Sequence, residues 1–339
     1  MYETFLWRSR TAWLSGMLFL ILAGLAPMVH AADAEDEEEK ASRPVLTLEE
    51  SAAAVAQVQT GDGIARGADG CIKCHDEDSE FPVFDIFKTR HGVAADARTP
   101  FAGRQCEACH GHGAEHAKNP PKGTPRAPIL TFGAKAWTPP AAQNAACLAC
   151  HGDHQRIAWK GGAHEFGDVA CASCHSVHAP HDPVLKPSTQ DQVCYTCHAT
   201  QRAEFHKLSH HPVGEGKMGC SDCHDPHGDR GDLRQIQASA RQACTRCHAE
   251  KRGPFLWEHA PAAESCTQCH TPHGSAQPAL LVKRSPFLCQ ECHAQNGHPS
   301  LSASGGLAFT SRSITIKGCM NCHSQVHGSN HPSGFTLLR

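Results

Sequence analysis

Residues 244–274 combine cysteine pairs with histidines in one short stretch, CTRCHAEKRGPFLWEHAPAAESCTQCHTPHG. His248 and His270 each follow the second cysteine of a Cys-x-x-Cys pair directly, whereas His259 and His273 do not. In a single helical turn, positions i, i+3 and i+4 share a face, so the two thiols and the imidazole of one motif point the same way. This arrangement suits a c-type haem, whose vinyl groups take the thiols and whose iron takes the imidazole. Two haems would need two more iron ligands, and two further histidines are present.

Zinc is the alternative metal, because zinc ribbons also use Cys-x-x-Cys pairs and histidine. Zinc, however, does not require a histidine directly after every second cysteine. All twenty cysteines of the chain fall into Cys-x-x-Cys-His motifs, ten in number, and none is left for a disulfide or a nucleophilic thiol. The sequence therefore predicts ten covalently bound haem c groups.

The cysteines predicted to form thioethers are Cys71, Cys74, Cys106, Cys109, Cys147, Cys150, Cys171, Cys174, Cys194, Cys197, Cys220, Cys223, Cys244, Cys247, Cys266, Cys269, Cys289, Cys292, Cys319 and Cys322. The motif histidines predicted to bind iron on the proximal side are His75, His110, His151, His175, His198, His224, His248, His270, His293 and His323. We number the motifs 1 to 10 in chain order.

Histidine is also the predicted ligand on the second, distal side of each iron. Methionine is the usual competitor and raises the reduction potential, but only Met218 and Met320 lie beyond the targeting segment at the N-terminus. Sixteen histidines remain once the motif histidines and His30, which lies in that segment, are set aside. Bis-histidine ligation of all ten irons implies low potentials and leaves no iron position free for a substrate.

The motifs come in pairs, which define five two-haem modules at about 67–118, 144–182, 190–230, 240–275 and 286–331. Each module has one histidine between its motifs and another soon after its second motif. The between-motif histidines are His91, His164, His210 or His211, His259 and His298. The following histidines are His116, His178, His227, His273 and His327. Repeats of this length indicate a stacked array.

Two choices among these histidines stay open. His211 precedes Pro212 and is preferred to His210, and His331 could replace His327 in CHSQVHGSNHPSG. A histidine three residues after a motif, such as His178, is expected to bind an adjacent haem instead of its own, and this would hold two macrocycles side by side. The surplus histidines with no consistent place in a module are assigned to solvent or to haem propionates; they are His112, His154, His181, His206 and His331.

Residues 1–31 are predicted to be a secretory signal peptide. Arg8 and Arg10 form its basic region, an apolar run follows, and a small-residue cleavage site ends at Ala31. An uncleaved membrane anchor is the alternative. Residues 32–66, which include the acidic run DAEDEEEK, are predicted to be a disordered segment. Residues 67–339 then form the decahaem domain.

The composition of the chain is a better guide to its fold than its length. Hydrophobic residues make up 40% of the chain with cysteine counted among them, and aromatic residues only 6%. The porphyrins must therefore supply the apolar core, and folding should depend on them as small metal domains depend on their metal. The predicted fold class is a multihaem cytochrome c, mostly coil with short helices at the haem motifs and little or no sheet, built as an elongated array of five two-haem modules. The formal charge of −3 omits two propionates per haem, and no nucleic-acid partner is predicted.

The text between the motifs resembles one family. CHAEKRGPFLWEHAP, VACASCHSVHAPHDPVL, CSDCHDPHG and CHSQVHGSNHPSG are similar to the periplasmic decahaem cytochromes of outer-membrane electron conduits, the MtrA and MtoA type, also called the DmsE family. The resemblance covers the chain from about Gly67 onward. It places His91, His116, His164, His178, His211, His227, His259, His273 and His298, with His327 or His331, at distal positions.

The resemblance implies an electron-transfer protein, not an enzyme. It would carry electrons across the outer membrane inside a porin–cytochrome complex, for extracellular metal reduction or Fe(II) oxidation. The implied location is the periplasm in association with the outer membrane. The implied partners are an outer-membrane β-barrel porin, periplasmic or inner-membrane c-type cytochromes, and an extracellular multihaem cytochrome. The alternatives are a free periplasmic shuttle to a terminal reductase and, less favoured because no Cys-x-x-Cys-Lys motif occurs, a multihaem reductase.

Overall fold

The computed structural model describes residues 48–79, 83–153, 156–228, 240–293 and 318–338. The predicted signal peptide, the acidic run, His154 and the candidate ligand His298 lie outside these ranges.

Short helices joined by coil make up the described part of the chain. The α-helices are α1 Leu48–Thr60, α2 Ala68–Cys71, α3 Glu107–His110, α4 Pro140–His151, α5 Ala163–Phe166, α6 Pro187–Tyr195, α7 Ala199–Phe205, α8 Ala240–Thr245, α9 Ala260–Glu264 and α10 Phe287–Gln290. The 3-10 helices are Phe84–Lys88, Arg90–Gly92, Pro100–Ala102, Cys171–Ser173, Pro183–Leu185, Cys220–Asp222, Ala249–Lys251, Cys266–Gln268, Pro278–Leu280, Cys319–Asn321 and Gly334–Thr336.

Extended pairing in the described ranges is limited to isolated bridges, such as those joining Ser209 to Ser275 and Trp257 to Ser329. The predicted fold class, with short helices at the motifs and no sheet, is confirmed for this part of the chain. No helix of the described residues has the length and hydropathy needed to cross a membrane.

The haem motifs occupy two kinds of helix. In the second to fifth modules the first motif lies at or just beyond the end of an α-helix, as in α4 and α6, whereas the second motif begins with a 3-10 turn, as at Cys171–Ser173. In both cases the histidine N–H donates to the carbonyl of the first cysteine, four residues earlier, at 2.9–3.1 Å. One closed turn therefore holds each of these motifs, as the i, i+3, i+4 spacing predicts.

Helix α1 lies inside the segment that the sequence analysis predicted to be disordered, and for residues 48–66 that prediction is wrong. Val58 is only 3% exposed, and its carbonyl accepts the His112 N–H at 2.8 Å. The Glu107 carboxylate accepts the N–H groups of Ile64 at 3.0 Å and Gly113 at 2.7 Å. The acidic composition of residues 33–40 suggested disorder for the whole segment. The contacts that order residues 48–66 have no local sequence signal, because they join α1 and the loop after it to motif 2, far along the chain.

The polypeptide buries few apolar side chains of its own. The buried hydrophobic residues in the described ranges are Val58, Ala68, Phe101, Leu130, Trp159, Ala170, Tyr195 and Val213. By contrast, Phe166 is 91% exposed and Leu208 is 83% exposed on the polypeptide alone. Hydrophobic burial is the main favourable term in folding, so this chain needs a large apolar group besides its own side chains.

Candidate haem-binding site

The first cysteines of the two motifs in each module contact one another. This thiol–thiol hydrogen bond raises the pKa of Cys71, and it lowers the pKa of its partner Cys106 to about 7. The contacting pairs are Cys71–Cys106, Cys147–Cys171, Cys194–Cys220, Cys244–Cys266 and Cys289–Cys319. The two motifs that sequence spacing pairs therefore also lie next to each other in space.

The second cysteines link one module to the next. Desolvation raises the pKa of Cys109, and a smaller electrostatic contribution comes from Cys150 in the following module. The same type of electrostatic influence relates Cys174 to Cys197, Cys223 to Cys247, and Cys269 to Cys292. Hydrogen-bonded first cysteines within modules thus alternate with electrostatically coupled second cysteines between modules, and together they relate all ten motifs in chain order.

Nine motif histidines face a second histidine, with ring centroids 5.9–6.3 Å apart. The pairs are His75–His116, His110–His178, His151–His91, His175–His227, His198–His164, His224–His273, His248–His211, His270–His327 and His293–His259. A metal bound at about 2 Å from a nitrogen of each ring would hold the two centroids roughly 6 Å apart. The spacing therefore leaves room for one iron between each pair, and the residues present fit a bis-histidine haem.

The two sets of non-motif histidines face motif histidines of different modules, one set in the next module and the other in the preceding module. A between-motif histidine faces the first motif of the next module, as His164 faces His198. A following histidine faces the second motif of the preceding module, as His227 faces His175. The first module departs from this rule, because its following histidine His116 faces His75 of the same module. His323 of motif 10 is the motif histidine without a described facing ring, and the between-motif histidine of its module is His298.

The expectation that His178 serves an adjacent haem instead of its own agrees with the structure only in part. His178 does not face the histidine of its own motif, as expected, but its partner is His110 of the previous module. Spacing alone suggested a nearest neighbour along the chain. The structure instead skips motif 3, because the histidine that follows motif 4 reaches back to the second motif of the preceding module.

The geometry separates the alternatives that the sequence left open. Both ring nitrogens of His210 are engaged, by the Lys207 carbonyl at 2.7 Å and Glu215 at 3.2 Å, whereas His211 faces His248. His331 accepts hydrogen bonds from Ser333 through Nδ1. In its place, His327 faces His270. Among the other surplus histidines, His112 lies against α1 with Nδ1 buried and without a partner.

Hydrogen bonds at Nδ1 leave Nε2 as the metal-binding atom of many of these rings. The acceptors are mostly backbone carbonyls, such as that of Leu130 for His110, at 2.7 Å, and that of Ala279 for His270, at 2.8 Å. Because a carbonyl only accepts, Nδ1 must carry the proton and Nε2 must carry the lone pair. Such outer contacts fix the orientation and tautomer of a metal-binding imidazole.

Burial favours the neutral, metal-binding form of several imidazoles. Desolvation lowers the pKa of the ring because it disfavours the charged imidazolium. The histidines affected in this way are His91, His110, His116, His178, His227 and His327. A neutral imidazole is the state that donates a lone pair to iron, so the environment prepares these rings for ligation.

Three between-motif histidines are also anchored to the next module through its backbone. His164, His211 and His259 donate from Nδ1 to the carbonyls of Pro226, Pro272 and Val326, at 2.8, 2.7 and 2.9 Å. Each acceptor directly precedes a following histidine. At each of these junctions, the two predicted distal ligands, which reach across in opposite directions, are therefore joined through one hydrogen bond and the adjoining backbone.

Glycine after the following histidine permits this close approach. Gly228 has φ +117°, and a Cβ built on it would overlap the carbonyl oxygen of Ala158 in the preceding module. Gly328 has φ +132°, and a Cβ there would overlap the ring of Phe255. A side chain is disfavoured at both positions by backbone conformation and by space.

Two buried amide side chains clamp the motifs of a module together, and sequence reasoning missed both. Asn144 in α4 accepts the Cys171 N–H at 2.8 Å and donates to the Val169 carbonyl at 3.1 Å. Gln190 in α6 accepts the Ser221 N–H at 3.0 Å and donates to the Val184 carbonyl at 2.7 Å. Their shared signal is a polar residue three or four positions before the first cysteine of a module.

Two carboxylates were also missed. Asp182 accepts a hydrogen bond from His175 Nδ1 at 2.7 Å, and Glu204 accepts one from His273 Nδ1 at 3.1 Å. Asp182 stands seven residues after its histidine, in the HAPHDPVL text, and Glu204 stands 69 residues before its partner. Only the first of these separations is short enough for sequence inspection to suggest it.

The arrangement is unlike a zinc site. Among the described residues, no three or more cysteine, histidine or acidic side chains converge in a group that could hold a metal ion. Each of motifs 1 to 9 instead combines two thiols and one imidazole with a single imidazole opposite. A protein built in this way is a multihaem c-type cytochrome, which transfers electrons through haems attached covalently to its own chain.

Comparison with known proteins narrows the class. The chain is 46% identical over 284 residues to the "Multiheme cytochrome MtrA" of Shewanella baltica (strain OS185), which covers 82% of this chain and 83% of that protein. It is 30% identical over 156 residues to the "Cytochrome c-type protein NrfB" of Haemophilus influenzae, covering 41% of this chain and 69% of the relative. Family models match as a doubled CXXCH motif at 210–253 and 259–298 and as a cytochrome c-type protein NrfB-like region at 106–191.

The extent and identity of the first of these matches decide the family. The chain belongs to the MtrA family of multihaem cytochromes.

Proposed function

We propose that the protein carries electrons across the outer membrane through ten bis-histidine haems, as the cytochrome of a porin–cytochrome complex. The mature chain would begin after Ala31, once the signal peptide is removed, and lie in the periplasm in association with the outer membrane. Its partners would be a β-barrel porin, periplasmic or inner-membrane c-type cytochromes, and an extracellular multihaem cytochrome. Membership of the MtrA family supports this assignment.

The observation that carries the proposal is the set of nine facing histidine pairs. An iron with an imidazole on each side has no open position for a substrate, which favours electron transfer over substrate chemistry. For motif 10 we propose His298 as the distal ligand of the His323 haem. All other histidines of the two predicted sets, with His211 and His327 preferred, would each serve one iron.

The order of contacts supports transfer along the whole chain. First cysteines contact one another within modules, and second cysteines of successive modules are close enough to influence each other electrostatically, which supports transfer from each module to the next. When bound, the haems supply the redox chemistry. The polypeptide fixes their order, presents both axial imidazoles and orients them through Nδ1.

Reconstitution tests the proposal. The purified holoprotein and its candidate porin are placed in liposomes with a redox dye inside, and Fe(II) or Fe(III) is offered outside. Liposomes with porin alone and with cytochrome alone are the controls. Dye oxidation or reduction only when both proteins are present is the expected result. Transfer that needs no porin, or that never occurs with it, would favour a free periplasmic shuttle.

A second measurement addresses the reductase alternative. Nitrite and tetrathionate are offered to the reduced holoprotein with a dye donor, and turnover is followed by dye oxidation. The proposal expects none, because both sides of each iron are occupied by histidine. Turnover at an enzymatic rate, together with a high-spin haem in the resting protein, would overturn the assignment to pure electron transfer.

A further inference from the structure

We infer that Asp182 and Glu204 lower the reduction potentials of two individual haems, and that Asp182 makes the haem of motif 4 the hardest in the chain to reduce. The inference rests on the proposed bis-histidine haem chain and extends it from the order of the haems to their energies. Both residues are positioning residues, because they act through the imidazoles of His175 and His273.

The acceptor on Nδ1 distinguishes these two imidazoles from seven others whose Nδ1 hydrogen bond is described. For His110, His116, His164, His211, His259, His270 and His323 the acceptor is a backbone carbonyl, at 2.7–2.9 Å. For His175 it is the carboxylate of Asp182, at 2.7 Å. A carboxylate acceptor makes a ligating imidazole more basic. A more basic ligand stabilises the ferric iron more than the ferrous iron, so the potential falls.

Charge adds to this effect at motif 4. The facing ligand His227 has a second carboxylate nearby, with Asp225 Oδ1 at 4.0 Å from Nδ1. Negative charge on both sides of one iron favours the more positive oxidation state. Arg156 acts in the opposite direction on His227, but its guanidinium donates to the His151 carbonyl at 3.1 Å and forms no described ion pair with either carboxylate.

Glu204 should have the smaller effect, for three reasons. Its hydrogen bond to His273 is longer, at 3.1 Å. Its side chain is 29% exposed, against 15% for Asp182, so water screens its charge more. Lys207 Nζ lies 3.6 Å from its other oxygen and neutralises part of the charge. Asp182, by contrast, makes its described contacts with His175 and with the N–H groups of Ser176 and Val184.

The position of the motif gives the effect a consequence. Motif 4 lies between motifs 1–3 and motifs 5–10 in the order of cysteine contacts. A haem that stays oxidised while its neighbours on both sides are reduced divides the chain into two electron reservoirs. Electrons would cross it without residing on it.

The Asp182→Asn variant tests the inference with little structural change. Asp182 is the N-cap of the Pro183–Leu185 helix, where its side chain accepts the Val184 N–H, and asparagine also serves as a cap. Wild type and variant holoproteins are titrated by absorbance-monitored potentiometry. The expected result is that the last haem to be reduced in the wild type shifts to a more positive potential, with the amplitude of one haem. The Glu204→Gln variant should shift the potential of one haem by a smaller amount than Asp182→Asn does. The Asp182→Glu variant, which keeps the carboxylate, should have the low potential of the wild type.

Asp85→Asn is the control, because Asp85 is paired with Lys88 at 2.7 Å instead of with a histidine. It should leave the titration unchanged, and an equal shift would assign the effect to general surface charge and overturn the inference. Haem content and low-temperature spin state are measured on the same samples. Ten low-spin haems with superimposable wild-type and Asp182→Asn titrations would refute the role of Asp182 alone. Fewer low-spin haems in the wild type would instead refute the proposed bis-histidine chain.

Discussion

His164 donates a hydrogen bond from Nδ1 to the carbonyl of Pro226, 62 residues later, at 2.8 Å. His164 itself faces His198 of motif 5, and His227, which follows Pro226, faces His175 of motif 4. One hydrogen bond therefore joins the two segments that carry the predicted distal ligands of two successive irons. A change that disorders either side of this junction should therefore disturb the haem sites of both motif 4 and motif 5.

The Gly228→Ala variant should disturb that junction. A Cβ at Gly228 would overlap the Ala158 carbonyl, and its φ of +117° disfavours any side chain. Overpacking of this kind costs about 1–3 kcal/mol. We expect a lower melting temperature of the holoprotein and partial loss of low-spin character at one haem, measured by circular dichroism and EPR.

Gly214→Ala is the matched control for that experiment, because a Cβ at Gly214 meets no atom within 4 Å. It should melt like the wild type. Equal melting temperatures for the Gly228 and Gly214 variants would show that the close approach of Gly228 to Ala158 does not contribute to stability.

The His259→Ala variant should convert one haem, that of His293, to a high-spin or water-ligated state. The facing ring is lost, while the thioethers and His293 remain, so haem content should stay unchanged and the potential of that haem should rise. EPR and magnetic circular dichroism of the oxidised protein measure the change. His210→Ala is the control, since both nitrogens of His210 bind other groups. An unchanged low-spin spectrum in His259→Ala would assign His259 to packing.

The Asn144→Ala variant should loosen the second module. It removes the acceptor for the Cys171 N–H and the donor to the Val169 carbonyl, two part-buried hydrogen bonds made by a buried side chain. An unsatisfied buried polar group costs about 1–3 kcal/mol. The expected result is a lower melting temperature and slower haem incorporation, followed by calorimetry and by haem content during expression. Asn119→Ala, at an exposed site, should have no effect; equal melting of the two variants would exclude the clamp.

Ring orientation predicts two classes of EPR signal in the oxidised protein. The imidazole planes are nearly parallel at His75–His116, His175–His227 and His270–His327, within 14°. They are nearly perpendicular at His151–His91 and His198–His164, at 68° and 72°. Parallel planes split the π-type iron orbitals more than perpendicular planes do. The haems with parallel imidazoles should therefore give rhombic EPR signals, and those with perpendicular imidazoles should give signals with one dominant low-field feature. A single class would show that the rings rotate when haem binds.

Sequence reasoning succeeded where the chemistry is local. A motif is one turn of helix, so its spacing alone predicts which three side chains share a face, and the pairing of motifs follows from their uneven separation. The preferred candidates His211 and His327 each face a motif histidine in the structure, and their role as iron ligands stays a prediction. These inferences need no knowledge of how modules meet.

The partner of each distal histidine could not be predicted in the same way. His227 and His175 are far apart in sequence, and nothing in the spacing states that a following histidine turns back while a between-motif histidine reaches forward. The clamp residue Asn144 escaped notice for a related reason. Its contacts depend on where Cys171 lies in space, and an asparagine within an alanine-rich helix carries no marker of burial.

The exchange of histidines between modules has a consequence for how such chains change length. Every internal junction uses the same rule, with one ligand sent forward and one sent back, so any two modules are compatible at a junction. If the third module were deleted as a unit, His164 could serve motif 7 and His273 could serve motif 4, and the count of ligands would still match the count of irons. Loss of a single motif would instead strand a histidine or an iron. Duplication and deletion in this lineage should therefore proceed in steps of two haems.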